Sequence, residues 1–270
     1  MSMRTGGSRL LIAVAGVGRW LRSRGRVASV RLLVGVVACL TVLAFASVLA
    51  GATSGRSNAG ATGAYLRAAD AFARAQAANV GASVAAMEKE ASGIASGCPS
   101  VLAGAPKGAQ LGVLGGEIAS AVLFSSLAPD RKAILAFVGK VGALHWSDGT
   151  VAKLVRELAA EERASAQLAL PDVCADLSAW KASGYRTLPS STTGFIKAVE
   201  AVGKETRGAG GKEESLEEAV LRRLRPYETP ADRRLAQQVN RVGETAAKRL
   251  LSSYSAALSH VGKVLGLEPA

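Results

Sequence analysis

Histidine is almost missing from this chain: among 270 residues only His145 and His260 occur. Neither has a carboxylate three positions before it, so the Glu-x-x-His pairs of di-iron helical bundles cannot be built. Two histidines in these surroundings also give no serine–histidine–acid arrangement for nucleophilic catalysis. There is no Cys-x-x-Cys-His for haem attachment, and no cysteine has a histidine or second cysteine at metal-ligand spacing. "GAGGK" (Gly208 to Lys212) lacks both a preceding strand and the Ser or Thr that a phosphate-binding loop places after its lysine. No catalytic residue, metal or cofactor is expected, and the chain reads as a non-enzyme.

Aromatic residues are also scarce, at 4% against 49% hydrophobic. Alanine, glycine, valine and leucine supply most of the difference. Alanine is the best helix former, and such chains pack thin helices closely. Runs of alternating β-branched residues are missing too, and the turn signals fall between helical patterns, so the expected fold class is all-α. Acidic residues are absent from Met1 to Arg56, which holds eight arginines. Removing those eight leaves 25 basic against 21 acidic residues, from 33 and 21 in the whole chain. The formal charge of +12 therefore belongs mostly to the leader. With no recognition motif and no aromatic interleaving, no nucleic-acid partner is expected.

The leader itself is informative. Residues 1–31 form a basic region, and Leu32 to Ala50, "LLVGVVACLTVLAFASVLA", is an uncharged apolar run long enough to cross a bilayer as a helix. Arginines crowd before it and only Arg56 follows closely, so the N-terminus is expected in the cytoplasm and the rest outside. "AGA" at Ala50 to Ala52 has the small residues a signal peptidase inspects, whereas the long lead-in suits a retained anchor. Both outcomes stay open: a single-pass membrane protein held through residues 32–50, or a secreted one. The apolar run continues past Cys39 to Val48, so a lipidated cysteine there does not fit. The alanine-, glycine- and arginine-rich composition behind such a leader points to a bacterial cell envelope.

Export makes the cysteines readable. With Cys39 in the span, Cys98 and Cys174 remain as an even pair in an oxidising compartment, a disulfide candidate. Closing a loop of about 75 residues would add roughly 4 kcal/mol in the chain-entropy picture.

Beyond the span, Gly51 to Gly63 reads as a flexible tether, and residues 64–206 as an extracytoplasmic helical bundle. Its apolar spacing gives helices over about 64–96, 110–127, 129–144 and 151–168, with short ones after Pro171 and from Thr193. Residues 207–229 read as a mobile connector holding a short helix. Thr229-Pro230-Ala231-Asp232 supplies an N-cap, a proline at the first helical position and an early acid. A long amphipathic helix over 230–266 follows, with a stripe from Leu235 through Leu250 and Tyr254 to Leu265. Such a stripe packs on neighbouring helices or takes a coiled-coil partner, so a protein partner or a second copy is expected there.

Two features suggest a site. Glu117 interrupts an apolar helix and is expected to face inward, where it is either paired with an arginine or lysine, the preferred reading, or has a raised pKa. Boundary exposure and a functional role are the alternatives. Trp146, Trp180, Tyr185 and Phe195 cluster along the chain around Cys174; core filling explains them most simply, and a ligand pocket with Glu117 is the sharper reading. Glu157 and Glu161 read as a solvated face. The function expected from all this is non-catalytic association at the cell envelope. A small-ligand, sensor-like helical domain and an uncharacterised enzyme are the alternatives.

Overall fold

The computed structural model describes residues 55–98, 100–102, 105, 109–202, 205–207 and 213–266. The basic region, the membrane span at 32–50 with Cys39, the start of the tether and "GAGGK" lie outside the described residues. The fold is all-α. Helix α1 spans Gly55–Gly97, α2 Ala109–Ser125, α3 Arg131–Gly142, α4 Gly149–Gln167, α5 Val173–Ala182, α6 Ser190–Val202, α7 Leu216–Leu224 and α8 Pro230–Val264. The described β structure is one antiparallel hairpin, β1 (Glu205–Arg207) with β2 (Glu213–Ser215), Thr206 opposite Glu214. A short strand therefore does precede Gly208, contrary to the sequence expectation, while the residue after Lys212 is still Glu213 rather than Ser or Thr.

The spine is a pair of long helices, α1 and α8, which share the most extensive interface of the fold. Gly63 lies beside Asp232, the Gln238 amide donates to Asp70 at 3.4 Å, and Ala73 packs with Val239. Farther along both helices Met87, Ala91 and Ile94 share one core cluster with Ala246, Leu250 and Tyr254. Contacts that advance together mean that the helices run parallel. Small residues line the seam, among them Ala73, Ala91, Gly243, Ala246 and Ala247, which lets the backbones approach. A Cβ on Gly63 would meet Asp232 Oδ1 at 3.0 Å, so side-chain volume is excluded there.

The α8 stripe is therefore consumed inside the chain. Val239, Ala246, Leu250, Tyr254, Ala257 and Val261 are buried, and the Tyr254 hydroxyl donates to the Ala119 carbonyl of α2 at 3.1 Å. The coiled-coil-like partner expected for this helix is α1 of the same molecule, and α8 belongs to the bundle. Its start follows the sequence reading: Thr229 Oγ1 accepts from Asp232 N, and Asp232 Oδ2 accepts from Thr229 N.

The tether requires correction. From Gly55 the chain is already helical, and Asn58, Ala61 and Thr62 are buried. Asn58 Oδ1 accepts from the Ser147 and Asp148 amides at 2.9 and 3.3 Å. This docking offsets the roughly 1 kcal/mol that each glycine costs a helix. The connector is likewise structured where described, with the β1–β2 hairpin and then α7, opened by a Ser215–Glu218 capping box.

Two clusters divide the core. Around the first half of α1 pack α3, α4 and α7, with Tyr65, Phe72, Phe137, Val151, Leu158 and Leu224 inside. Around its second half and that of α8 pack α2, α5 and α6, with Leu114, Val122, Leu177, Trp180 and Val199 inside. Residues Gln110–Gly142 are apolar and long enough to cross a membrane by composition, but 67% of their most apolar window is buried within the protein.

Candidate functional site

Cys98 and Cys174 meet. Cys98, just past the end of α1, is bonded to Cys174 in the first turn of α5, their Cα atoms 5.2 Å apart. Gly97 is packed so closely that a Cβ there would lie 3.0 Å from Cys174 Sγ. Next to the disulfide, Trp180 and Tyr185 form an edge-to-face pair with centroids 4.9 Å apart. Trp180 Nε1 donates to Gln110 Oε1 at 3.1 Å, and the Tyr185 hydroxyl to the Val101 carbonyl at 3.3 Å. These rings, with Phe195, fill the core cluster around the disulfide.

Trp146 is not with them. It packs against the other cluster, beside the start of α4. The pocket expected from Trp146, Trp180, Tyr185 and Glu117 is thus split between the two halves of the bundle. Proximity along the sequence misleads because α3 and α4 turn back onto the first half of α1. His145 and His260 are both exposed and belong to neither half of the core.

Glu117 does face inward, fully buried, but among the described residues no cation holds it. Its polar neighbours are Asp176 of α5 and Thr192 of α6. Neither Glu117 oxygen has a hydrogen bond within 3.5 Å, nor do Asp176 Oδ2 and Thr192 Oγ1. Asp176 Oδ1 accepts from Ser191 Oγ at 2.5 Å. Burial and then the adjacent Asp176 carboxyl push Glu117 up to about 8, with Thr192 opposing. At neutral pH the group is mostly a protonated acid.

A second buried acidic locus was hidden in the sequence. A small cavity between α1, α4, α7 and α8 offers about 20 Å³ to a water-sized occupant, and opens on one side to solvent. Its polar lining is Tyr65, Gln76, Glu162 and Glu217; apolar walls come from Leu66, Phe72, Leu158, Leu221 and Val239 among others. Tyr65 is 1% exposed and Glu162 9%, while Glu217 is partly buried. Among the described residues none of these three side chains makes a hydrogen bond or ion pair. Burial lifts Glu162 to about 7. Burial and then the neighbouring carboxyls of Glu162, Glu218 and Glu161 raise Glu217 well above the usual range. Tyr65 is raised by burial, then by Glu217 and Glu162.

Glu162 is overshadowed in the sequence by its neighbours Glu157 and Glu161. Glu157 is solvated and pairs loosely with Lys153 at 3.9 Å. One position beyond Glu161, the helix turns by about 100°, and Glu162 joins the buried face of Val155, Leu158, Ala159 and Ala166. That spacing was legible. The approach of Glu217 from α7 was not.

A third polar contact is structural. Asp148 caps α4 through the Thr150 and Val151 amides and accepts from the Tyr227 hydroxyl at 2.9 Å. Burial works against the ionised form, but the Tyr227 hydroxyl and then these amides hold Asp148 below its ordinary range. Among the described residues no group of three or more His, Cys, Asp or Glu side chains could hold a metal ion.

The arrangement defines a disulfide-stapled all-α bundle with two buried acidic loci. No protein-family model, characterised protein or solved structure matches this chain.

Proposed function

We propose that this chain is a non-catalytic binding protein of a bacterial cell envelope, held at the membrane by residues 32–50 or released from it, with the bundle outside the cytoplasm. The observation that carries the compartment is the Cys98–Cys174 bond, which persists in oxidising surroundings and is rare where thiols are kept reduced. Of the two kinds of partner that the sequence suggests, a small ligand held between helices is the better supported. The apolar stripe of α8 is spent on α1, and among the described residues only Leu135 and Val264 are large exposed hydrophobics. A protein partner would have to dock on a largely polar surface.

The compartment is tested by mass-tagging thiols of the full chain from its native host, with and without reductant. Cys39 is one site in either state if the leader is retained. Reduction should add two tags, at Cys98 and Cys174. Two such tags without reductant would overturn the extracytoplasmic reading.

A further inference from the structure

The Tyr65–Glu162–Glu217 cavity brings together three oxygen-bearing groups and no cation. Tyr65 comes from α1, Glu162 from α4 and Glu217 from α7, with Glu161 and Glu218 the further carboxyls that act on Glu217. Arg163, Arg222 and Arg223 are among the cations that those last two helices carry outside the lining. The α8 wall contributes Ala236, Val239 and Gly243, and the α3 wall Phe137, so no lysine, arginine or histidine lines the space. Two carboxyl groups and a phenol in such a place call for a donor-rich, positively charged occupant.

Size and wall chemistry narrow it. The volume fits one or two heavy atoms, since a water needs about 10–15 Å³. A hydrated metal ion wants six or more oxygen ligands, and these largely apolar walls supply too few. A single water can bond to the protonated acids but offers no counter-charge to their ionised forms. An alkylammonium head carries three N–H donors, one for each of Glu162, Glu217 and the Tyr65 oxygen, and its alkyl part can leave through the open side of the cavity. Tyr65, Phe72 and Phe137, packed with centroids 5.9 and 5.3 Å apart, add aromatic surface of the kind cations favour.

We propose that this cavity is the binding site for the head group of a primary amine, with Glu162 and Glu217 as its counter-charges and the Tyr65 hydroxyl as the third acceptor. The inference rests on the ligand-binding part of the function proposed above and is independent of the compartment. Bound cation favours the ionised acids, so uptake releases protons where Glu162 and Glu217 are otherwise protonated.

The test is calorimetric titration of the full chain, purified in detergent, with n-butylammonium chloride, n-butanol and potassium chloride at pH 6 and pH 8. Butylammonium should bind at least tenfold more tightly than butanol, more tightly at pH 8 than at pH 6, and with proton release read from two buffers of different ionisation heat. Glu162→Gln and Glu217→Gln each remove an acid at constant shape and should weaken binding at least tenfold. Tyr65→Phe should weaken it a few-fold, and Glu117→Gln, in the other half of the bundle, should bind as wild type. Equal response to butanol, an equal response to potassium, wild-type affinity in both cavity variants, or no heat at any pH would each overturn the proposal. Thiol tagging is blind to amines, so a failed titration with a bonded cysteine pair removes this inference and leaves the compartment standing.

Discussion

Glu117 offers the sharpest test of how the bundle is held together, because its burial has a calculable pH signature. Folding raises the carboxyl from 4.5 to about 8. Between those values the native state binds a proton that the unfolded chain has released, so unfolding free energy falls as pH rises. The full stability is present below about pH 4.5 and is lost up to about pH 8. From pH 5 to pH 8 the linkage integral is about 3 kcal/mol for this one group, because a proton held only by the native state changes stability by about 1.36 kcal/mol for each step of one in pH. Glu117→Gln keeps the shape and cannot ionise. Urea denaturation of both proteins at pH 5, 6, 7 and 8 should show near-equal stability at pH 5 and a variant ahead by about 3 kcal/mol at pH 8. Glu162 and Glu217 tilt both curves alike and cancel in the difference. A wild-type-minus-variant difference that stays flat within about 0.5 kcal/mol would mean that Glu117 reaches water, and the argument would fail.

Other substitutions probe the staple and the caps. Cys174→Ala should lower stability by about 4 kcal/mol, from the entropy of a 76-residue separation, and reductant should then leave the melting temperature of the variant unchanged. Gly97→Ala puts a Cβ 3.0 Å from Cys174 Sγ, which the bonded sulfur cannot easily yield, so a loss of about 1–3 kcal/mol by chemical denaturation is expected. Thr229→Ala removes the acceptor for the Asp232 amide at the start of α8 and should cost about 1 kcal/mol, with far-UV dichroism of the native protein unchanged.

Local signals carried the helices, and tertiary facts escaped them. Thr229-Pro230-Ala231-Asp232 could be read because a cap is made by residues three apart. The inward face of Glu117 could be read because Leu114 and Ile118 share it. Its partner could not, since Asp176 and Thr192 arrive from α5 and α6, and the expected cation never comes. The glycines of residues 51–63 argued for a tether. What makes Gly55 to Gly63 helical is Asn58 clasping the start of α4, ninety residues away along the chain. The α8 stripe announced a long partner helix, and only the fold says that α1 is that partner, in parallel and with small residues at the seam.

Among the described residues, three acids in or at the core have no cation partner. Each of Glu117, Glu162 and Glu217 is an ionisable group whose charged form the interior disfavours, and an apolar residue of similar size would relieve that cost. The two loci differ in what surrounds them. Around Glu117 the nearest polar groups are another acid, Asp176, and Thr192, neither of them hydrogen-bonded to it within 3.5 Å. Around Glu162 and Glu217 there is space, an opening and a phenol with no partner of its own among the described residues. Stability alone explains neither arrangement, since the disulfide contributes about as much as one such acid costs. A group that weakens the fold while facing an open cavity is better understood as waiting for a counter-charge, and the cavity between α1, α4, α7 and α8 is where that counter-charge would enter.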